Sequence, residues 1–429
     1  AALLSMKTGK PVKIVYSQEE VLSAGRQRNP TVIDIKTGVR KDGTLMAIQC
    51  RVIANGGAYI SIGRMTIYLM GTFLALPYRV PNIKYDGYRV YTNNQVCCAQ
   101  RGHGVPQVRY AAESQLDMIA HELGIDPLEI RLKNALQPGD VTVNGFRITS
   151  CGLTECLQKA GEIRKWRQEW AGFPPNKKRG IGFGAYGFVS GPRVAGHNTA
   201  GAMVKVHEDG AISVLTGSTD SGQGSDSCLS QIAAEVLGIG LENVHLVMPD
   251  SEVTPLDPGT YGSRLTFVSG NAVSLAAEDA RGQLAEVGAE LLKAQPEDLV
   301  FRNGQVFVRQ HPERTMPFDR LVKAAYYSGT GRTIMGRGYF APELQVPNYE
   351  TGEGNVSATY SFGAQAAEVE VDTDTGKVSV TRMKVVHDCG RAINPMHVEG
   401  QLEGSVCGGL GQALLEDKIK EEDSGQTIN

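Results

Sequence analysis

Three stretches of this chain repeat one design, and that design sets the fold class. "VIDIKTGVRKDGTLMAIQCRVIA" alternates apolar and polar residues on both sides of Asp42-Gly43. "AMVKVHEDGAISVLTG" does so around Asp209-Gly210, and "AEVEVDTDTGKVSVTRMKVV" does so across Asp374 to Gly376. A period of two marks a half-buried strand, and Asp-Gly between two such runs is the strongest short hairpin signal. Helical patterns lie between them. In "YAAESQLDMIAHELG" the residues Leu116, Ile119 and Leu123 recur at helical spacing, and Gly124 is a natural C-terminal stop. Asp126-Pro127-Leu128-Glu129 then opens a new helix with an N-cap Asp, Pro at the first position and Glu at the third. "SCLSQIAAEVLG" and "NAVSLAAEDARGQLAEVGAELLK" predict two more. Hairpins interleaved with helices make an α+β chain of mixed sheets rather than a regular βαβ winding.

Composition excludes several functions. The net charge of −3 provides no basic face, so nucleic acid is not an expected partner. No apolar run is long enough to span a membrane, and no signal peptide opens the chain. Cys50, Cys97, Cys98, Cys151, Cys156, Cys228, Cys389 and Cys407 form no Cys-x-x-Cys pair, and the histidines form no His-x-x-x-His pair. Zinc ribbons and iron–sulfur ligation therefore lack their spacing, and no side-chain metal ligands are expected. The thiols read as buried groups of a reducing cytoplasm. In "WAGFPPNKKRGIGFG", Pro174-Pro175 and the charge run Lys177 to Arg179 mark the best boundary, which divides the chain into 1–174 and 175–429. Both ends read as cut. "AALLSMKTGKPVK" looks like the last turns of a helix entering a strand, and "EEDSGQTIN" stops where a strand or hairpin is about to start.

The 51 glycines cluster, and four glycine-rich stretches each run into a predicted helix: "AQRGHGVPQ" (99–107), "TDSGQGSDS" (219–227), "DPGTYGSRLTFVSGNA" (257–272) and "INPMHVEGQLEGSVCGGLGQA" (393–413). A helix N-terminus offers unpaired N–H groups and the positive end of the dipole, which suit an anion. The amides of Gln107, Gln223, Asn271, Gln401 and Gln412 both donate and accept, which suits the edge of a heterocycle. Together the four stretches point to an extended, polar, anionic ligand held from several sides. Nucleotide motifs compete poorly. "MKTGKP" lacks the P-loop spacing, and "GFGAYG" (182–187) follows a Pro/Lys linker, so it reads as a turn in close-packed backbone.

"RGHG", "GQG" before a helix, "SRLTFVSGNAV" and "DCGRAINPMHVEGQLEG" in combination resemble the molybdenum-cofactor subunit of the xanthine dehydrogenase/aldehyde oxidoreductase family, along essentially the whole chain. "GGAYISIGRMTIYLMG", "YRVYTNN" and "FVSG" look like its 4-hydroxybenzoyl-CoA reductase branch. The resemblance implies two interlocked molybdenum-cofactor-binding domains and a molybdenum held by a pyranopterin with a cytosine dinucleotide tail, not by protein side chains. It implies that Arg101, Gly102, His103 and Gly104 border the metal and substrate. It puts Gly222, Gln223 and Gly224, then Tyr261, Gly262 and Ser263, then Ser269, Gly270 and Asn271 beside the cofactor, with Gln401 on the pterin side.

Glu19 matches a glutamate of purine-oxidising members, with an exposed strand-end acid as the plainer reading. The second purine anchor falls at Leu69, in a pocket with Tyr68 and Met70, so an apolar aromatic substrate fits better than xanthine. Gly102 stands where carbon-monoxide members carry a cysteine. The family's catalytic glutamate lies in a segment this chain does not reach, so no catalytic residue is assigned. By the same resemblance, the partners are a small subunit with two [2Fe-2S] clusters and an FAD subunit, in the cytoplasm. The expected reaction is reductive dehydroxylation of 4-hydroxybenzoyl-CoA or a related thioester. The alternatives are an aldehyde or N-heterocycle hydroxylase, or a cofactor-binding assembly module without turnover.

Overall fold

A computed structural model describes residues 1–170, 174–193, 198–247, 249–328 and 331–428. The first part of the chain forms α1 (Ala2–Thr8), α2 (Gln18–Ala24), β1 (Thr31–Val39), β2 (Leu45–Asn55), α3 (Gly63–Thr72), β3 (Ile83–Val90), α4 (Val105–Leu123), α5 (Pro127–Asn134) and α6 (Leu153–Gly161). Then come β4 (Lys177–Ser190), β5 (Ala200–Val206), β6 (Ile212–Thr216), α7 (Ser225–Leu237), β7 (Val244–Val247) and α8 (Gly270–Leu292). The last part adds β8 (Leu299–Arg302), β9 (Gln305–Val308), β10 (His311–Pro317), α9 (Phe318–Tyr327), β11 (Met335–Phe340), β12 (Thr359–Asp372), β13 (Val378–Asp388) and α10 (Pro395–Leu414).

All three Asp/Gly hairpins form: β1 with β2, β5 with β6 and β12 with β13, each antiparallel. The sheets are mixed, because β3 joins β2 in parallel and β7 joins β6 in parallel. Helix signals act where they stand. Asp126 Oδ1 accepts from the N–H groups of Leu128 and Glu129, and Gly124 ends α4 in the left-handed region. Along α4, Val105, Val108, Ala112, Leu116 and Ala120 are buried at spacings of three and four, which gives the helix one apolar face.

Three local expectations are corrected. "GFGAYG" is neither a turn nor a nucleotide loop but the middle of β4, paired with β12 from Thr359↔Ser190 to Asp372↔Lys177. A ladder to a partner so remote in sequence supplies hydrogen bonds that glycines do not forbid. The stretch 393–413 is mostly α10 itself, started by Asn394, whose side chain accepts from His397 N–H, with Pro395 in the first turn. Residues 11–17 after α1 form no strand.

Two cores result. The first runs from Leu45 through Phe146 to Ile163, and is completed by Phe183, Ala185 and Val189 of β4 and by Val356 through Ala366 around β12. The second packs α7, α8 and α9 on β5, β6 and the small β8–β10 sheet, with Ala272, Ala276 and Ala280 wholly buried along α8. Charges lock the first core from within. Glu113 of α4 accepts from Arg131 Nε at 2.8 Å, Arg109 Nη1 at 3.2 Å, the Tyr78 hydroxyl at 3.1 Å and the Ala185 backbone N–H at 3.2 Å. Arg131, fully buried, also reaches Asp117 at 2.7 Å. One carboxylate thus ties α4 and α5 to a strand from beyond residue 175.

Candidate functional site

The stretch before α4 carries Arg101 to Gly104. Gly102 and Gly104 take φ of +82° and +84°, and a Cβ on Gly104 would come within 2.8 Å of the Thr66 carbonyl oxygen and 3.2 Å of Met70 Cγ on α3. Only glycine lets this backbone lie so close to α3. His103 is fixed by Thr66 Oγ1, 2.9 Å from its Nε2. Burial, together with the charge of Arg28, depresses its pKa to about 4, so it is neutral near pH 7. Arg101 is exposed and reaches across to α10. Its Nη2 lies 3.4 Å from Gln401 Oε1 and its Nη1 3.4 Å from Ser405 Oγ. The structure therefore brings together Arg101 and Gln401, two predicted residues three hundred positions apart.

The loop before α7 is held differently. Asp220 Oδ1 accepts from Gly222 N–H at 2.7 Å and from Gly224 N–H at 3.4 Å, and its Oδ2 accepts from Asp226 N–H at 3.2 Å. Although burial works against the charge, these N–H groups hold the Asp220 carboxyl below the usual range. Burial and the charge of Asp220 raise Asp226. Gln223 is turned onto its own loop, accepting from Ser221 N–H at 2.7 Å and donating to Ser225 Oγ at 2.9 Å. Gly224, at φ +80°, abuts the first turn of α10, where a Cβ would fall 2.4 Å from His397 Nδ1. That nitrogen is buried and has no partner among the described residues. Asn394 Nδ2 donates to Gln231 Oε1 at 3.3 Å, a second tie between α10 and α7.

The third loop locks onto the second through Thr260 Oγ1, which donates to the Thr219 carbonyl at 2.7 Å. Beneath it Arg264 and Asp257 form a buried ion pair at 2.7 Å, and Arg264 also donates to Asn198 Oδ1, Gly259 O and Thr199 O. Ser269 is wholly buried and donates to Asp257 Oδ2 at 3.3 Å, and Asn271 Nδ2 donates to the Phe267 carbonyl at 2.5 Å. Gly270 is buried against Ile232. Ser263 is exposed at φ +53°, next to Tyr261 and Gly262, and the Gly262 carbonyl accepts from Gly191 N–H at 2.9 Å.

The residues expected on the substrate side separate. Glu19 lies exposed in the first turn of α2, where Ser17 and Glu20 form a capping box, so it is a helix-end rather than a strand-end acid. On α3, Leu69 and Met70 are packed into the first core. Tyr68 is half-buried edge-on to Tyr349 at 5.0 Å, and burial pushes its hydroxyl up to about 12. Asp220, Asp257, Arg264, His397 and Arg28 were not predicted. An aspartate two residues before Gly-Gln-Gly is a recognisable turn-capping signal; the others have none local to the sequence. Two open surface hollows, of about 480 and 630 Å³, lie around Glu208, Asp209, His245 and Tyr326, away from all four glycine stretches. They are open and lined by exposed and half-buried side chains, none of them from the glycine stretches, so the loops that meet α10 remain the better candidate.

Among the described residues no group of His, Cys, Asp or Glu is placed to hold a metal ion, and the cysteines are free thiols. The loops nevertheless offer a guanidinium at Arg101 and unsatisfied buried atoms at Gln107 Oε1 and His397 Nδ1. Such a donor set fits a group that brings its own metal ligands. No described helix is long and apolar enough to cross a membrane. Family models described as "Molybdopterin cofactor-binding domain" match residues 1–135 and 156–429. The xanthine dehydrogenase molybdenum-binding subunit of Escherichia coli O157:H7 is 35% identical over all of this chain and 56% of its own length. An aldehyde oxidoreductase of Megalodesulfovibrio gigas is 30% identical, over 97% of the chain and 43% of its own length. The crystal structure of quinoline 2-oxidoreductase from Pseudomonas putida 86 superposes with a TM-score of 0.89 at 28% identity, over 100% of this chain and 56% of that one. The chain thus spans about half the length of the relatives it matches.

Proposed function

Because the chain belongs to the molybdopterin cofactor-binding domain family, in its xanthine dehydrogenase/aldehyde oxidoreductase group, we propose that it is the cofactor-holding part of a molybdenum oxidoreductase acting on an apolar aromatic substrate. The observation that carries this reading is that Arg101 and Gly224, from two glycine-rich loops, both reach α10, with no side-chain metal ligands among the described residues. The bound group supplies two-electron redox chemistry at its metal. The protein's part is binding and orientation. Gly104 and Gly224 seat their loops against α3 and α10, Arg101 and Gln401 offer a cation beside an amide, and neutral His103 presents an imidazole without a charge.

In this reading the loops at Gly222–Gly224, Tyr261–Ser263 and Ser269–Asn271 border the cofactor, Ser269 and Gly270 from behind. The cofactor carries a cytosine dinucleotide. Glu19 and half-buried Tyr68 lie toward the substrate, while Leu69 and Met70 belong to the first core, and 1–174 and 175–429 are the two domains. A [2Fe-2S] subunit and an FAD subunit in the cytoplasm complete the enzyme. The names of the relatives, a xanthine dehydrogenase subunit, an aldehyde oxidoreductase and a quinoline 2-oxidoreductase, favour oxidation of an N-heterocycle or aldehyde. Leu69, at the position the resemblance gives to a purine anchor, is buried in the first core and offers no polar group, which favours a quinoline-like heterocycle over xanthine. Reductive dehydroxylation of 4-hydroxybenzoyl-CoA is the second reading, and it rests on the sequence motifs alone.

The test is metal and nucleotide analysis of the full-length protein purified with its partner subunits, followed by assays with quinoline, an aromatic aldehyde, xanthine and 4-hydroxybenzoyl-CoA. Near-stoichiometric molybdenum and released CMP are expected, with turnover of the heterocycle. Cofactor-free protein from a host that loads a known relative would overturn the redox reading. Loaded protein without turnover of any substrate would favour the assembly module.

A further inference from the structure

The segment Arg26–Asn29 runs beneath the Arg101–Gly104 loop and is tied to it along its length. Cys98 N–H donates to the Gln27 carbonyl at 2.9 Å, Gln100 Nε2 to the Arg26 carbonyl at 3.1 Å, and Gln107 Nε2 to the Asn29 carbonyl at 3.3 Å. Backbone carbonyls carry these ties, so any residue at 26, 27 or 29 could supply them. Arg28 is different. Its side chain turns up, and its Nη2 donates to the Arg101 carbonyl at 2.8 Å, at the point where the chain enters the left-handed Gly102. Its Nη1 is buried and has no partner among the described residues.

We infer that Arg28 is a positioning residue for the site: its Nη2–H pins the Arg101 carbonyl, which sets the arch of Gly102–Gly104 and aims the Arg101 side chain at α10. The role rests on the proposed function only in that the loop it holds is the cofactor loop. Its electrostatics agree with the geometry. Burial lowers the pKa of Arg28 while the Glu416 charge, just beyond α10, opposes the shift. The same guanidinium helps to keep His103 neutral. Arg28 thus acts on the loop by a bond and on the segment just beyond α10 by charge.

The experiment uses the full-length protein with its partner subunits and compares Arg28→Gln, Arg28→Lys and Arg26→Gln. Arg26 lends the loop only its carbonyl, so its variant controls for lost surface charge. Hydrogen exchange is read at the His103 and Val105 amides, which bond to the carbonyls of Gln100 and Gly102 within the loop, and molybdenum content is read in parallel. In Arg28→Gln these two amides are expected to exchange at least about tenfold faster, while α5 and β2 keep their protection and molybdenum content falls several-fold. Arg28→Lys, which still donates to the carbonyl, should recover most of both, and Arg26→Gln should match the wild type. Unchanged exchange in Arg28→Gln, acceleration spread evenly over the first core, or a lysine variant no better than glutamine would each overturn the inference. Wild-type protein without molybdenum would overturn the proposed function instead, and the exchange data would still decide the role of Arg28.

Discussion

The loops before α4 and before α7 both enter their helix through a left-handed glycine, Gly104 at φ +84° and Gly224 at φ +80°. Their surroundings are of opposite sign. At α7 the carboxylate of Asp220 collects the N–H groups of Gly222, Gly224 and Asp226, so that helix end already holds an anion of its own. At α4 no side chain among the described residues caps the helix, and the loop is braced from below by the cation Arg28. A glycine-rich entry to a helix is therefore not enough to name an anion site. What distinguishes the two is whether the protein has already spent the donors.

The comparison can be broken first at its foundations. Under the third loop, Asp257 is the one carboxylate paired with buried Arg264 among the described residues. Under α4, Arg131 keeps Glu113 when Asp117 is lost. Asp257→Ala should therefore cost about 3–5 kcal/mol in denaturant unfolding, and Asp117→Ala measurably less. Equal costs would mean that Glu113 does not compensate.

The glycines come next. Gly104→Ala adds to the ~1–2 kcal/mol of a left-handed alanine a clash with backbone, the Thr66 carbonyl, which cannot move aside. Gly224→Ala meets the His397 ring, which can rotate, so it should cost less. The His397→Ala background should remove part of that cost in a double-mutant cycle.

Asp220→Ala loses a helix-end cap and should cost about 1 kcal/mol. The folded-state pKa of Asp220 is depressed, so its contribution is present above the usual carboxylate pKa and fades as pH falls through the lower folded value. Wild-type and variant stabilities should converge in acid. The effect at His103 is confined to acid, because its folded pKa of about 4 lies below its ordinary 6.5. Between those values the unfolded chain binds more protons, so stability falls as pH drops from 6.5 toward 4 and levels below it. His103→Gln should flatten that part of the pH–stability curve.

Local signals were the legible part of the sequence. The three Asp/Gly hairpins, the Asp126 cap and the Gly124 stop depend on neighbours a few residues away, and each forms as read. The errors came where a distant partner decides. Gly182, Gly184 and Gly187 looked like a turn because the β12 strand that orders them is more than 170 residues away. α10 was hidden by Gly400, Gly404, Gly408, Gly409 and Gly411, although Asn394-Pro395 at its start is a good capping signature. At the site, glycine and amide side chains were visible in the sequence. The Arg101–Gln401 approach, the Asp257–Arg264 pair and the bond from Arg28 to Arg101 depend on the tertiary fold, and composition carries no trace of them.

The bond from Ala185 N–H to Glu113, with Phe362 and Ala364 in the same core, has a consequence for synthesis. The α4–α6 layer leaves the ribosome with one wall missing, and that wall arrives with β12, roughly 200 residues later. At ~5–20 residues per second that wait is roughly 10–40 s. Throughout it, a nascent chain exposes apolar surface that a holdase chaperone can occupy, and a stalled translation product would be an aggregation hazard rather than a small folded domain.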